Sequence, residues 1–233
     1  MRIEIMKSVG KLFLVFVLIA FTASGVCARE KSGFQVVIDP GHGGADKGVR
    51  LAGDTFEESV TLAVGGLIKK DLDKSGNITA RLTRSGGAGV EPAERRKKAA
   101  QADLYIGLHV NAGFSKNSSG YEIYFPGFKP PSGKKNNSDE IVKDMVRTQY
   151  LNESVRFSRL LQKNLEKVFP RKGRGLRDAP IPIQDLSVPG VVIEMGFATN
   201  PKDRKALADA KVQAEIAEAV AESAREFFRG GKQ

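Results

Sequence analysis

The chain has 233 residues, with 37 basic and 27 acidic side chains and a formal net charge of +10 at pH 7. This length suits one domain of good size and is short for two. The basic residues are scattered and only 7% of the residues are aromatic, so the pattern does not indicate a nucleic-acid-binding surface. The single cysteine excludes a disulfide framework and a metal site built from cysteines.

The first 28 residues have the layout of a secretory signal peptide. Positive residues precede ten uninterrupted apolar residues at 12–21, and small residues follow as far as Ala28. The apolar run is much shorter than the roughly 20 residues that span a membrane, although an uncleaved N-terminal anchor is the alternative. We therefore expect a mature chain of residues 29–233 without a stable membrane anchor. We expect export to the periplasm, or alternatively to the cell wall or the medium.

The rest of the chain alternates short apolar runs with amphipathic patterns. Strands are predicted at 34–39, 78–83, 104–108, 120–125 and 190–193, and helices at 56–74, 91–101, 139–169 and 211–228. Residues 126–138 are rich in Pro, Gly, Lys and Asn and predict a loop. This alternation indicates a single α/β domain with a central, mostly parallel (mixed) sheet flanked by helices.

The two histidines of the chain both follow predicted strands. His42 follows the strand at 34–39 after a Pro-Gly turn, and His109 follows the strand at 104–108 directly. Ligands of α/β proteins bind at the carboxyl ends of strands, and imidazole is a common zinc ligand. A lone histidine is usually structural, but two at strand ends predict a shared metal cleft.

A third ligand would have to be a carboxylate, because the chain has no third histidine and no usable cysteine. Glu57 and Glu58 both lie at the start of the helix predicted at 56–74. Thr55 and Glu58 have the spacing of a capping box, which would leave Glu57 for the metal. Asp54 and Glu57 have the same spacing, so the local pattern does not decide between the two glutamates.

Glu194 ends the apolar run at 190–193. Burying an unpaired carboxylate is costly, so this side chain either meets a basic partner or points into the cleft. In the cleft it would suit a general base that acts on a water beside a metal ion.

Four segments together resemble the type-3 family of zinc-dependent N-acetylmuramoyl-L-alanine amidases. They are residues 39–44 (Asp-Pro-Gly-His-Gly-Gly), the pair Glu57-Glu58, residues 108–111 (Leu-His-Val-Asn) and residues 192–200 (Val-Ile-Glu-Met-Gly-Phe-Ala-Thr-Asn), in the order of the family. The pairs Thr83-Arg84 and Arg174-Gly175 also match, whereas Glu58 stands where the family usually has a lysine.

The resemblance implies a function and a site. His42, Glu57 and His109 would bind Zn²⁺, and Glu194 would be the catalytic carboxylate. The reaction would be hydrolysis of the amide bond between N-acetylmuramic acid and L-alanine of the peptidoglycan stem peptide. The alternatives are a zinc peptidase or deacetylase that acts on another cell-wall bond, and an inactive wall-binding regulator. We expect a monomer whose partner is peptidoglycan and not nucleic acid.

Residues 126–152 form a longer connection than simple family members need. In division-associated amidases of Gram-negative bacteria, an insertion near this position covers the zinc until a partner removes it. The resemblance therefore implies a smaller regulatory insertion at 126–152, with Glu140 as the blocking carboxylate and a protein activator as partner. The alternative is an ordinary solvated helix face.

Overall fold

The computed structural model describes residues 33–127, 138–169, 175–183 and 186–230, and the predicted signal peptide at 1–28 lies outside them. Within these ranges the chain forms eight strands and five helices. The strands are β1 (Phe34–Pro40), β2 (Arg50–Ala52), β3 (Thr55–Phe56), β4 (Ile78–Leu82), β5 (Leu104–Asn111), β6 (Glu122–Pro126), β7 (Gly175–Ala179) and β8 (Gly190–Phe197). The helices are α1 (Glu57–Asp73), α2 (Pro92–Ala99), α3 (Ser138–Leu165), α4 (Pro201–Ala208) and α5 (Ala210–Gly230).

Six strands form one mixed sheet in the order β4-β1-β5-β8-β6-β7. The first four are parallel to one another, β6 is antiparallel to β8, and β7 is parallel to β6. The predicted single α/β domain with a mostly parallel sheet is confirmed. Because four strands run the same way, their carboxyl ends share one edge of the sheet, where ligands bind in such folds.

The two faces of the sheet are covered unequally. One face carries the main core, in which α1, α3 and α5 pack on residues such as Ile38, Ile106 and Ile193. The other face carries a smaller cluster around Tyr105 and Ile183. β8 shows the contrast, since its residues on the first face are fully buried while Val192 and Glu194 on the second are only half-buried.

Helix α1 does not begin with the predicted capping box. Thr55 is in β3, and the N-cap is Phe56, whose side chain makes no capping hydrogen bond. Instead, the backbone N–H of Glu57 donates to the carbonyl of Val49 at 2.9 Å, and that of Glu58 donates to Lys47 at 3.2 Å. The preceding loop therefore satisfies the first helical donors that a cap would otherwise serve.

The described helices include none that is both long enough and apolar enough to cross a membrane.

Candidate metal centre

His42 lies in a loop that two arginines hold in place. Within the described ranges, it is the single residue other than glycine with a positive φ, at 60°. Arg84 donates to the carbonyls of Pro40 at 3.0 Å and of Gly41 at 2.9 Å, and Arg95 donates to those of Pro40 and His42. These bonds stabilise a backbone conformation that costs a histidine energy, which is typical of a functional site.

Glu57, the first residue of α1, is only 2% exposed, and its carboxylate points at the end of β5. Its Oε1 accepts a hydrogen bond from the backbone N–H of Val110 at 2.9 Å, and its Oε2 accepts one from Val49 at 3.1 Å. Burial acts to raise the pKa of Glu57, but the hydrogen bonds from His109 and the two backbone groups hold it below its ordinary value. The side chain is therefore a carboxylate at neutral pH.

The two imidazoles meet this carboxylate at one point. Nε2 of His42 and Nδ1 of His109 are each 3.0 Å from Oε1 of Glu57. The ligand atoms of the three residues lie within 4.8 Å of one another. The histidine side chains are 23% and 32% exposed, so the cluster opens to solvent on one side. Two imidazoles, one carboxylate and an open side fit the donor set of a catalytic zinc ion.

Asp46 extends the cluster and was not predicted from the sequence. Its carboxylate is 2.7 Å from Nδ1 of His42, and this hydrogen bond is the main cause of its lowered pKa. Such a bond fixes the imidazole with Nε2 facing the cluster, as outer partners of metal-binding histidines do. The sequence signal is weak, because Asp46 is a polar residue in a glycine-rich loop with no further pattern.

Glu194 lies directly opposite His109 in the β5–β8 pair. Its Oε2 is buried and has no hydrogen-bond partner among the described residues. Burial raises its pKa to about 7; the positive charge of His109 opposes this rise, and the negative charges of Glu57 and Glu122 add to it. A carboxyl group with a pKa near neutrality is suited to proton transfer.

The structure separates the two glutamates that the local sequence left equivalent. Glu57 belongs to the cluster of possible metal ligands, and the side chain of Glu58 does not. The backbone carbonyl of Glu58 accepts a hydrogen bond from Arg84 at 2.7 Å. The side-chain amide of Asn111 donates a hydrogen bond to Glu122 at 2.9 Å. Glu140 is exposed on α3 and is not part of the cluster found among the described residues.

The fold and the cluster define a class of protein. At one edge of its sheet, this α/β domain presents two histidines, one buried glutamate and a second glutamate with one oxygen that has no partner among the described residues, which are the parts of a metal-dependent hydrolase.

The comparison with known families then gives the reaction. A sequence profile described as N-acetylmuramoyl-L-alanine amidase matches residues 36–226. The chain therefore belongs to the N-acetylmuramoyl-L-alanine amidases, as the resemblance predicted. It is an enzyme that hydrolyses the amide bond between N-acetylmuramic acid and L-alanine of peptidoglycan.

Individual relatives agree with this assignment. The chain is 28% identical over 228 residues to N-acetylmuramoyl-L-alanine amidase AmiA of Escherichia coli K12, with 86% of this chain and 78% of the relative covered. It is similar to the structure of the amidase AmiC2 of Nostoc punctiforme, with a TM-score of 0.64, 27% identity and coverage of 84% and 97%. The CwlD amidase of Clostridioides difficile, solved in complex with the GerS lipoprotein, shares the fold with a TM-score of 0.67, 22% identity and coverage of 85% and 100%.

Proposed function

We propose that His42, Glu57 and His109 bind the zinc ion of this amidase and that Glu194 is its catalytic carboxylate. The convergence of both imidazoles on one oxygen of Glu57 carries the proposal. The Oε2 atom of Glu194, opposite His109, supports the second part. It is buried and has no partner among the described residues, so it is available to a group of the substrate or to solvent.

The residues have separate tasks in this mechanism. Bound zinc would polarise the carbonyl of the scissile amide and lower the pKa of a water molecule. Glu194 accepts a proton from the attacking water and passes it to the nitrogen of L-alanine as the amide bond breaks. The carboxylate of Asp46 holds the ring of His42 in one orientation. Arg84 and Arg95 hold the loop that presents this ring.

Zinc content separates the two roles. We expect His42→Ala, Glu57→Gln and His109→Ala each to lose stoichiometric zinc after dialysis against a weak chelator. Glu194→Gln should keep zinc near one ion per chain and still lose amidase activity by at least about 100-fold, since general acid–base catalysis contributes about 10²–10⁴-fold. Loss of zinc from Glu194→Gln, or its retention by the three other variants, would contradict the proposed assignment.

Export is a further part of the proposal. Residues 1–28 have the layout of a signal peptide, and the substrate of the family lies outside the cytoplasmic membrane. Expression in a Gram-negative host, followed by fractionation and N-terminal sequencing, should give a periplasmic protein that begins at Arg29. A protein that keeps its first residues and stays with the membrane would favour the uncleaved anchor.

We also propose that a protein partner acts on residues 126–152. The first half of α3 leaves Ile141, Val142 and Met145 at least half exposed, which suits contact with another protein. A protein partner is known for one relative, since the CwlD amidase was solved with the GerS lipoprotein. If the segment inhibits the enzyme through Glu140, deletion of residues 128–138 and Glu140→Gln should each raise activity on purified peptidoglycan. Unchanged activity in both variants would favour an ordinary solvated helix.

A further inference from the structure

On the less covered face of the sheet, polar residues line the surface from Glu194 in β8 toward β7 at the edge of the sheet. Glu194 in β8 lies opposite Glu122 in β6, and one step along the same face Val192 lies opposite Tyr124. Tyr124 in turn lies opposite Arg177 in β7. Directly opposed residues point to the same side of a sheet. Polar side chains therefore extend from Glu194, beside the candidate metal centre, to β7, the outermost strand of the sheet.

Glu122 is the buried anchor of this face. Its side chain is 4% exposed, and its Oε2 accepts hydrogen bonds at 2.9 Å from both the amide of Asn111 and the hydroxyl of Tyr124. Its Oε1 lies 3.0 Å from Nε of Arg177. Two hydrogen bonds and an ion pair from described residues compensate a carboxylate at this depth, so Glu122 fixes the groups that surround it.

Arg177 is the member of this group that reaches solvent. Its side chain is 44% exposed, and Glu122 is its one ion-pair partner among the described residues. The pair engages Nε, which leaves the two terminal nitrogens of the guanidinium for another acceptor. A guanidinium held in one orientation presents a flat pair of donors that matches a carboxylate.

We propose that Arg177, positioned by Glu122, binds a free carboxylate of the stem peptide on the L-alanine side of the scissile bond. This inference rests on the proposed function, which places the scissile bond beside Glu194. Neighbouring strands are about 4.8 Å apart, so β7 lies roughly 10 Å from β8. An extended peptide covers about 3.3–3.6 Å per residue, which places Arg177 within reach of the second and third residues of the stem.

The second residue of the stem offers such a group. It is a glutamate that continues the peptide through its side-chain carboxyl group, so its α-carboxylate is free. Modification of this group to an amide keeps the shape of the substrate and removes the charge. The pair of substrates, with D-glutamate or D-isoglutamine at this position, therefore tests the contact directly.

The experiment measures binding separately from catalysis. Two synthetic disaccharide tripeptides that differ only in this group are titrated calorimetrically into the zinc-loaded Glu194→Gln protein. We expect the free carboxylate to bind about 10- to 100-fold more tightly than the amide, which is the range of a charge-assisted pair. In the Glu194→Gln protein, the further substitution Arg177→Gln should abolish the preference for the carboxylate compound. Arg177→Lys in its place should keep part of that preference. Glu122→Gln should weaken the preference and leave zinc content unchanged.

Arg81 provides a matched control, since it lies in β4 at the opposite edge of the sheet. Arg81→Gln should keep the full preference. Equal binding of the two compounds, or equal losses for both compounds in Arg177→Gln, would overturn the inference. Hydrolysis of the same compounds by the otherwise unaltered protein is measured in parallel, so failure of the proposed function shows as absent cleavage and is distinct from failure of the carboxylate contact.

Discussion

Glu57 links several parts of the candidate metal centre through its carboxylate. It touches both histidines through one oxygen, and it accepts backbone hydrogen bonds from the ends of two other segments. A buried carboxylate in this position depends on the space around it. Gly48 forms part of that space, because a Cβ added there would lie 2.5 Å from Oε2 of Glu57 and 2.7 Å from Cδ2 of His42.

Gly48→Ala should therefore displace two of the proposed zinc ligands. We expect a loss of zinc affinity of at least about 10-fold, in the range found when partners of metal ligands are removed. The substitution also places a Cβ at a φ of 65°, which costs about 1–2 kcal/mol of folding free energy by itself. Zinc affinity by competition with a chromophoric chelator, and unfolding in urea, measure the two effects separately.

Gly53→Ala is the matched control for the backbone cost. Gly53 also has a positive φ, of 52°, but an added Cβ would meet no atom within 4 Å. This variant should lose similar folding free energy and keep its zinc affinity. If both variants lose zinc equally, the contact with Glu57 and His42 is not the cause.

At the residue scale, the sequence indicates the residues that we propose carry the chemistry and misses several of those that position them. His42, His109 and Glu194 are recognisable because rare or costly residue types follow apolar runs. Glu122 is not recognisable, because its place beside Glu194 depends on an antiparallel pairing between strands distant in sequence. Register of this kind is set by tertiary packing and not by local pattern.

Two strands extend past their predicted ends at the edge of the sheet that holds the candidate metal centre. β5 continues to Asn111 and β8 to Phe197, so His109 and Glu194 lie within strands and not after them. The apolar runs of both strands end before these residues, and polar residues normally mark a strand end, so the sequence predicts shorter strands. Here the polar residues continue the ladder and face the cleft. The short β2, β3, β7 and α4 carry too few apolar residues for their periods to be detected.

The connection between α1 and β4 depends on Asp73. Its carboxylate accepts a hydrogen bond from the backbone N–H of Ala80 at 2.9 Å and pairs with Lys69. Burial acts to raise the pKa of Asp73, but these two partners hold it below the ordinary value of 3.8. A carboxyl group whose pKa is lowered by folding stabilises the protein above its unfolded pKa, and this contribution disappears as the pH falls through the folded value.

Asp73→Asn should consequently reduce the free energy of unfolding at pH 7 by at most about 1 kcal/mol, because the side chain is 38% exposed and solvent screens the pair. The difference from the unaltered protein should shrink below pH 4. Urea unfolding at pH 7 and near pH 3 measures it. Asp54→Asn is the control, since Asp54 is fully exposed and should show little change at either pH. A loss that grows toward low pH would contradict the assigned role.

Over the whole molecule, the parallel strands bring residues from four distant segments to one edge. A zinc ion held there would join the loop after β1, the start of α1 and the end of β5. A ligand that binds the folded state and not the unfolded state stabilises the folded state by mass action, by about 2.7 kcal/mol at 100 times its dissociation constant.

The zinc-loaded protein should therefore unfold at a higher temperature than the chelated protein. For a domain of this size the shift should be about 5–10 °C, from roughly 2–4 °C per kcal/mol. Calorimetry at fixed free zinc concentration measures it, and His42→Ala should abolish the shift. Equal unfolding temperatures with and without zinc would show that the cluster does not hold the metal.

We propose that the cluster at the sheet edge cuts the bond between N-acetylmuramic acid and L-alanine, with Glu194 as the proton carrier. The most direct measurement is mass-spectrometric and N-terminal analysis of the products from purified peptidoglycan. The protein comprising residues 29–233 is compared with and without chelator, beside Glu194→Gln. We expect free stem peptides that begin with alanine, and we expect their release to be lost on chelation and in the variant. Cleavage at another bond, or undiminished release of these peptides by Glu194→Gln, would contradict it.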